Sequence, residues 1–275
     1  MTQCHNSRQI CVNITHISCK NGRIGLTLPK RISNMAKKGI YTYEYPHPAV
    51  TADCVVFGYD GKELKVLLIK RGQEKEASTT AYVGEWALPG GFLDVEKDKT
   101  VAYTAQRELK EETGLKLSVK DFKEVSTFSD IKRDPRERVI TVAHYALVKL
   151  AEVEAATDAD KAEWFAWADI PHLAFDHDKI LRVAFSRLKQ DIHFQPVGFE
   201  LLPDTFTLPQ LQNLYESILE VKFDRRNFAN KMKHYEILIE VPDDTPRHGT
   251  RTPVKYRFDK ENYDRLKSNG FQLEF

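Results

Sequence analysis

The stretch that decides the fold runs from Leu88 to Leu115, LPGGFLDVEKDKTVAYTAQRELKEETGL. Its second half, Arg107-Glu108-Leu109-Lys110-Glu111-Glu112-Thr113-Gly114-Leu115, reads as a helix stopped by Gly114, since glycine is the residue that most readily takes the left-handed turn after a helix. Glu108, Glu111 and Glu112 then fall at i, i+3 and i+4 on one face. Like charges at that spacing weaken a helix unless a cation sits among them, and a hard divalent ion prefers carboxylate oxygens. Val101, Ala105 and Leu109 share the opposite face, which suits packing on a sheet. Gly90 and Gly91, just before, suit close approach of the backbone to a ligand or to metal, or a tight turn.

Outward from this stretch, Ala49 to Gly58 reads as a buried strand, Tyr59 to Lys62 as a turn and Leu64 to Ile69 as its partner. Gln73 to Val83 reads as a loop. After the helix, Arg138 to Leu150 and Lys161 to Ala168 read as strands, and Lys179 to about Gln190 as a helix with Asp176 or Asp178 as its N-cap. His177 is a candidate substrate contact, but a place in that capping loop is the stronger expectation. Further on, Leu208, Leu211, Leu214, Tyr215, Ile218 and Leu219 form an apolar face of helical period, with Thr207 as N-cap and Pro209 in the first turn. Phe223 to Met232 reads as a second helix. Two strands follow, Ile237 to Val241 and Val254 to Phe258, then a last helix from Lys260 to Asn269. Helix, turn, helix and a β-ribbon is the order of a winged helix-turn-helix.

The composition is that of an ordinary globular protein, with 41% hydrophobic and 29% charged residues. A net charge of +1 gives no global pull toward nucleic acid or an anionic membrane. No apolar run approaches the ~20 residues needed to span a bilayer, so no membrane partner is expected. Three of the four cysteines, Cys4, Cys11 and Cys19, lie near the start, with Cys54 apart, which fits a reducing cytoplasm better than a disulfide framework. Cys4, His5, Cys11, His16 and Cys19 match no compact zinc module. Residues 1–34 are read as a dispensable N-terminal extension, compatible with disorder, or as a start-site artefact, before Met35-Ala36-Lys37-Lys38, which reads as a natural start.

The run from Arg107 to Leu115 resembles the second half of the Nudix box, which is met there at every position. The first half departs. Gly91 lies two residues too far from Arg107, and Lys99 occupies the place of the first box glutamate. A two-residue insertion, with Asp98 or Glu96 in place of that acid, accounts for the spacing. The resemblance implies an α/β fold, a Nudix α/β/α sandwich with a mixed sheet over residues 41–192, followed by a small winged helix-turn-helix over 199–275. FTLPQLQNLYESIL and DRRNFANKM, with SDIKRDPRERVITVAHYAL and LAFDHDKIL, are similar to one branch of the family. That branch joins ADP-ribose hydrolases and Nudix-related transcriptional regulators of NAD metabolism.

The activity so implied is metal-dependent pyrophosphate hydrolysis of a nucleoside diphosphate derivative, foremost ADP-ribose to AMP and ribose 5-phosphate. Mg2+ or Mn2+ would be held by Glu108, Glu111, Glu112 and the carbonyl of Gly90. Glu111, Glu112 and Arg107 would be the catalytic groups, with Arg107 orienting a carboxylate. Arg71, Arg133, Arg136 and Arg138 are the candidate phosphate-binding cations. The alternative is an ADP-ribose-responsive DNA-binding regulator, with or without residual hydrolysis, reading operator DNA as a homodimer. Arg225, Arg226, Lys231 and Arg251 are its candidate DNA contacts. A third reading is a Nudix enzyme for a damaged nucleotide or another sugar nucleotide. Charge does not separate them, since residues 207–275 carry twelve Lys and Arg against eleven Asp and Glu.

Overall fold

The computed structural model describes residues 44–72, 82–150, 159–242 and 253–274, together with strands β1 (Cys19–Lys20) and β2 (Arg23–Ile24). The chain divides into a unit over residues 1–45 and one over 46–275. In the first, β1 and β2 pair antiparallel. The remainder of the N-terminal reading lies outside the described residues, as do most of the 73–83 loop and the loop carrying Arg251.

The second unit is organised by β3 (Ala49–Tyr59), an eleven-residue strand buried along nearly its whole length. A strand buried on both faces needs apolar residues in both registers, and ADCVVFGY supplies them. β3 pairs antiparallel with β4 (Leu64–Arg71) and with β6 (Gly90–Phe92), and parallel with β8 (Val139–Leu147). β5 (Trp86–Ala87) and β9 (Ala159–Ala166) add to β4, and β7 (Lys123–Phe128) adds to β8, completing a mixed seven-stranded sheet.

The pleat sends alternate residues to opposite sides. Ala52, Cys54 and Val56 join Ala105 and Leu109 of α1 (Val101–Thr113). Val55, Phe57 and Tyr59 join Leu181, Ala184, Phe185 and Leu188 of α2 (His177–Phe194). The layers are therefore helix, sheet, helix. α2 begins two residues earlier than the periodicity predicts and runs four further. Asp176 precedes it but makes no side-chain cap bond, because Arg133 takes its carboxylate.

After α2 comes a three-stranded sheet of order β10 (Phe206–Thr207), β12 (Lys255–Phe258) and β11 (Leu238–Val241). It packs with α3 (Leu208–Leu219), α4 (Arg225–His234) and α5 (Lys260–Ser268). Thr207 caps α3 in a reciprocal box with Gln210, as its spacing predicts. Asp224 caps α4 by accepting the Asn227 N–H at 2.8 Å. Leu211, Leu214, Tyr215, Ile218, Phe228 and Met232 belong to the same buried cluster as the α2 face of the large sheet. One continuous apolar core thus runs from the sheet through α2 into the winged helix. No helix among the described residues is long and apolar enough to cross a membrane.

Candidate functional site

α1 ends where its sequence says it should. Gly114 adopts φ 73° and its N–H closes on the Lys110 carbonyl at 3.0 Å. Ala105 and Leu109 anchor the inner face, which fixes the rotation of the helix and aims Glu108 and Glu112 at β6. Glu112 is buried, and the Gly90 N–H donates to its Oε2 at 2.9 Å. Glu108 lies against Gly91, where an added Cβ would stand 2.4 Å from the carboxylate. At Gly90 a Cβ would stand 2.3 Å from the Ala52 carbonyl oxygen. Gly90 is therefore required for its close approach to the strand, while a side chain at Gly91 would push the Glu108 carboxylate out of its position.

The third glutamate goes elsewhere. Three carboxylates were expected to close on one cation, and the structure brings two of them together. Glu111 is exposed and lines an open groove with Gln106, Lys110 and Lys116, while Arg107 Nη1 holds its carboxylate at 3.1 Å. No group of three acidic, histidine or cysteine side chains among the described residues forms a ready metal cluster.

Arg107 is the organiser of this end of the helix. It donates to Asp98 through Nε at 3.1 Å and Nη2 at 2.8 Å, to Glu108 at 2.7 Å and to the Phe92 carbonyl at 2.9 Å. Of the two acids offered for the displaced box glutamate, Asp98 and not Glu96 is the one that meets Arg107. It also accepts from Thr104 and from the Asp94 N–H, both at 3.0 Å. The bidentate guanidinium holds the Asp98 carboxyl down at about 2. The opposite holds nearby. Burial pushes the Glu108 and Glu112 carboxyls up, and their mutual repulsion adds to the rise at Glu112. Two partly desolvated acids that resist ionising side by side fit a hard divalent ion, which would hold both charged. They line a cavity of about 210 Å³ together with Ile69, Arg71, Gly90 and Gly91.

A second cavity of about 60 Å³ shares Arg71, Gly90, Gly91 and Phe92 with the first. Arg71 lies 5.0 Å from the centre of the Phe175 ring, and Arg136 lies 5.3 Å from Phe175 and 5.1 Å from Phe92. Asp134 holds Arg136 at 2.9 Å. Arg133 also lines this cavity, yet its guanidinium is spent on Asp176 at 2.8 Å and Asp53 at 3.3 Å, with the side chain 3% exposed. Arg138 is exposed and lines neither cavity. Of the four predicted phosphate-binding arginines, the structure thus aims Arg71 and Arg136 at the site, buries Arg133 in a network and leaves Arg138 outside.

Asp53, Phe175 and His177 line the same cavity; Asp53 and Phe175 are additions to the sequence reading, and His177 takes the place by the site that the capping-loop expectation ranks second. A carboxylate amid the apolar run ADCVVFG was a legible signal, since buried charge needs a partner. His177 is no capping residue. It is buried, its Nδ1 accepts the Leu88 N–H at 3.0 Å, and its Nε2 lies 3.7 Å from Asp53. Burial pushes its pKa down, so a neutral ring with the proton on Nε2 satisfies both contacts.

In the winged helix, Phe228 and Met232 fasten α4 to the core at i and i+4. That leaves Arg225, Arg226, Lys231 and Lys233 on the exposed side. The ten residues of α4, RRNFANKMKH, contain no carboxylate. The near-neutral balance of residues 207–275 therefore conceals a helix of one sign.

The sequence matches the NUDIX domain over residues 47–185. The chain belongs to the Nudix family. A second match, to the NrtR DNA-binding winged helix domain, covers residues 198–258. This Nudix chain is 34% identical over 224 residues to the ADPR responsive transcriptional repressor NtrR of Acinetobacter baylyi, covering 80% of this chain and 86% of that protein. It is 38% identical over 171 residues to the ADP-ribose pyrophosphatase of Methanocaldococcus jannaschii, covering 60% and 92%. The structure of Shewanella oneidensis NrtR complexed with a 27mer DNA superposes with a TM-score of 0.64 at 28% identity, covering 82% of this chain and 97% of that one. A MutT/nudix family protein from Enterococcus faecalis gives 0.64 at 27%, covering 79% and 89%.

Proposed function

We propose that this Nudix protein is a DNA-binding transcriptional regulator that responds to ADP-ribose. The observation that carries the reading is α4, an exposed helix with four Lys and Arg and no carboxylate, fixed by Phe228 and Met232 to a core shared with the Nudix sheet. A local basic face of that kind is the footprint of phosphate contact. Similarity to a repressor along 86% of its length supports the same ordering of functions. Arg225, Arg226 and Lys231 are assigned to the DNA, together with Arg251, which lies outside the described residues. A homodimer reading two half-sites is the expected assembly. A mobility shift on the DNA upstream of the protein's own gene, at low salt and with added ADP-ribose, tests the proposal. A shifted band released by ADP-ribose is expected, and no shift at low salt would refute it.

Hydrolysis is the second reading, and the paired Glu108 and Glu112 favour it. These two, with the Gly90 carbonyl, would hold Mg2+ or Mn2+. Such an ion supplies charge neutralisation at a pyrophosphate and acidifies a bound water. Arg71 and Arg136 would bind and orient the phosphates across the shared rim, and Phe92 and Phe175 hold those two guanidiniums in place. Arg107 keeps Glu108 pointed at the cavity. Glu111 would orient water only after leaving Arg107, so it ranks behind Glu108 and Glu112. A panel of ADP-ribose, other sugar nucleotides and oxidised nucleotides, with Mg2+ and Mn2+, tests this reading. Absence of turnover across the panel would leave the Nudix domain as a sensor alone.

A further inference from the structure

We propose that the junction between the Nudix domain and the winged helix holds a second ligand site, built for a nucleotide-sized phosphate ester. The cavity there measures about 660 Å³, inside the ~300–1,000 Å³ typical of small-molecule sites. It shares no residue with the two cavities at Glu108 and Arg136. Its wall draws on three parts of the chain. Lys123 comes from β7 and Lys149 from the segment just after β8, Phe199 from the connection after α2, and Arg257, Lys260 and Lys267 from β12 and α5.

The charges do not cancel. Five cations face three carboxylates, those of Glu200, Asp204 and Asp264. Lys149 ends on Asp204 at 2.6 Å, and Glu200 accepts the Gly198 N–H at 3.1 Å. Lys123, Arg257, Lys260 and Lys267 have no ion-pair partner among the described residues. Lys123 is the most telling. It is half-buried, with its Nζ 5.6 Å from the centre of the Tyr145 ring. Burial pushes its ammonium pKa down and the Lys267 charge adds to that, while Asp191 and Glu200 oppose it from a distance. A desolvated ammonium repelled by a neighbouring one is stabilised by an anion placed between them.

The wall is also aromatic. Phe199 and Phe258 stack with ring centres 4.3 Å apart and planes at 18°, and Tyr263 packs beside Phe258 at 5.8 Å. Cations beside flat apolar surface match a phosphate joined to a planar base. Because the wall comes from both domains, a ligand here would bear on the contact between them. The inference does not rest on the DNA-binding reading.

The test is equilibrium dialysis of the full chain with AMP, with inorganic pyrophosphate and ribose 5-phosphate in parallel arms. Lys260 and Lys267 are exposed, so the double variant Lys260→Glu, Lys267→Glu leaves the core untouched. Arg136→Ala perturbs the Nudix cavity instead. The expected result is an AMP site weakened about tenfold or more by the double variant and unchanged by Arg136→Ala. Lys123→Gln should weaken the same site, and if that variant fails to fold the double variant alone decides. The absence of any AMP site with this pattern overturns the proposal. So does a junction that takes pyrophosphate and ribose 5-phosphate as tightly as AMP, because the aromatic wall would then contribute nothing.

Discussion

The end of α1 and the outer face of α4 handle charge in opposite ways. At α1 the arginine and the acids around it are held. Arg107 makes contacts to three carboxylates and a carbonyl, Asp98 is satisfied from three directions, and Glu112 is fixed by the Gly90 N–H. At α4 the four Lys and Arg residues are exposed, the helix itself carries no acid, and Asp224 before it is occupied with capping. A site that must position a pyrophosphate needs groups fixed before the ligand arrives. A surface that tracks a phosphate backbone needs only charge of one sign at the right height, since counterion release supplies the affinity. The difference in construction thus mirrors the two tasks assigned to the chain, and each substitution below acts on one task and spares the other.

The largest effect is expected from Glu112→Gln. The amide keeps an acceptor for the Gly90 N–H but removes the buried charge. Mg2+-dependent turnover should fall by about 100-fold or more, while DNA binding without ADP-ribose should be unchanged. Steady-state hydrolysis with a parallel mobility shift checks both halves. Next is Arg225→Ala with Arg226→Ala. Loss of two phosphate contacts should reduce DNA affinity roughly tenfold or more and flatten the dependence on log salt by about 2, with ADP-ribose binding by calorimetry preserved.

Asp98→Asn should be milder than Glu112→Gln, since it removes the clamp on Arg107 but no ligand. A supporting residue of this kind is worth about 10–100-fold in metal affinity. It also carries a pH signature. The Asp98 carboxyl is held at about 2, below its ordinary 3.8. A depressed folded-state pKa gives stability that is present above 3.8 and is lost as pH falls toward 2. The wild type should lose its advantage over Asp98→Asn across that window in acid-unfolding curves of metal-free protein. Identical curves would detach Asp98 from the clamp. The smallest effect is expected at Arg138→Ala. Its side chain is exposed and lines neither cavity, so ADP-ribose affinity should change less than about twofold, within the range of ordinary surface substitutions.

What the sequence disclosed follows from the same contrast. Arg107 to Thr113 lies on one helix that Gly114 ends, so its spacing showed the stop and the face that meets the sheet, and the resemblance to the family supplied the box. The winged helix was legible because Thr207, Pro209 and Asp224 are local signals, read within one turn of the helices they start. What escaped depended on distance in the chain. Arg133 looked free for phosphate because Asp53 lies eighty residues away and Asp176 forty-three. His177 looked like part of a cap because its partner, the Leu88 N–H, is eighty-nine residues upstream. Glu111 shared a face with its neighbours by count, but Arg107, one turn before it, draws it aside. Helical spacing fixes which side chains are neighbours and leaves open which neighbour an ion chooses.

The central claim is that ligand and DNA act on one another through a single chain. The direct test measures both affinities reciprocally by fluorescence anisotropy in the absence of Mg2+: labelled upstream DNA with and without ADP-ribose, and ADP-ribose with and without that DNA. Linkage requires the same factor in both directions, and the account predicts mutual weakening by at least about fivefold. DNA affinity that ADP-ribose leaves untouched, with ADP-ribose bound, would contradict it.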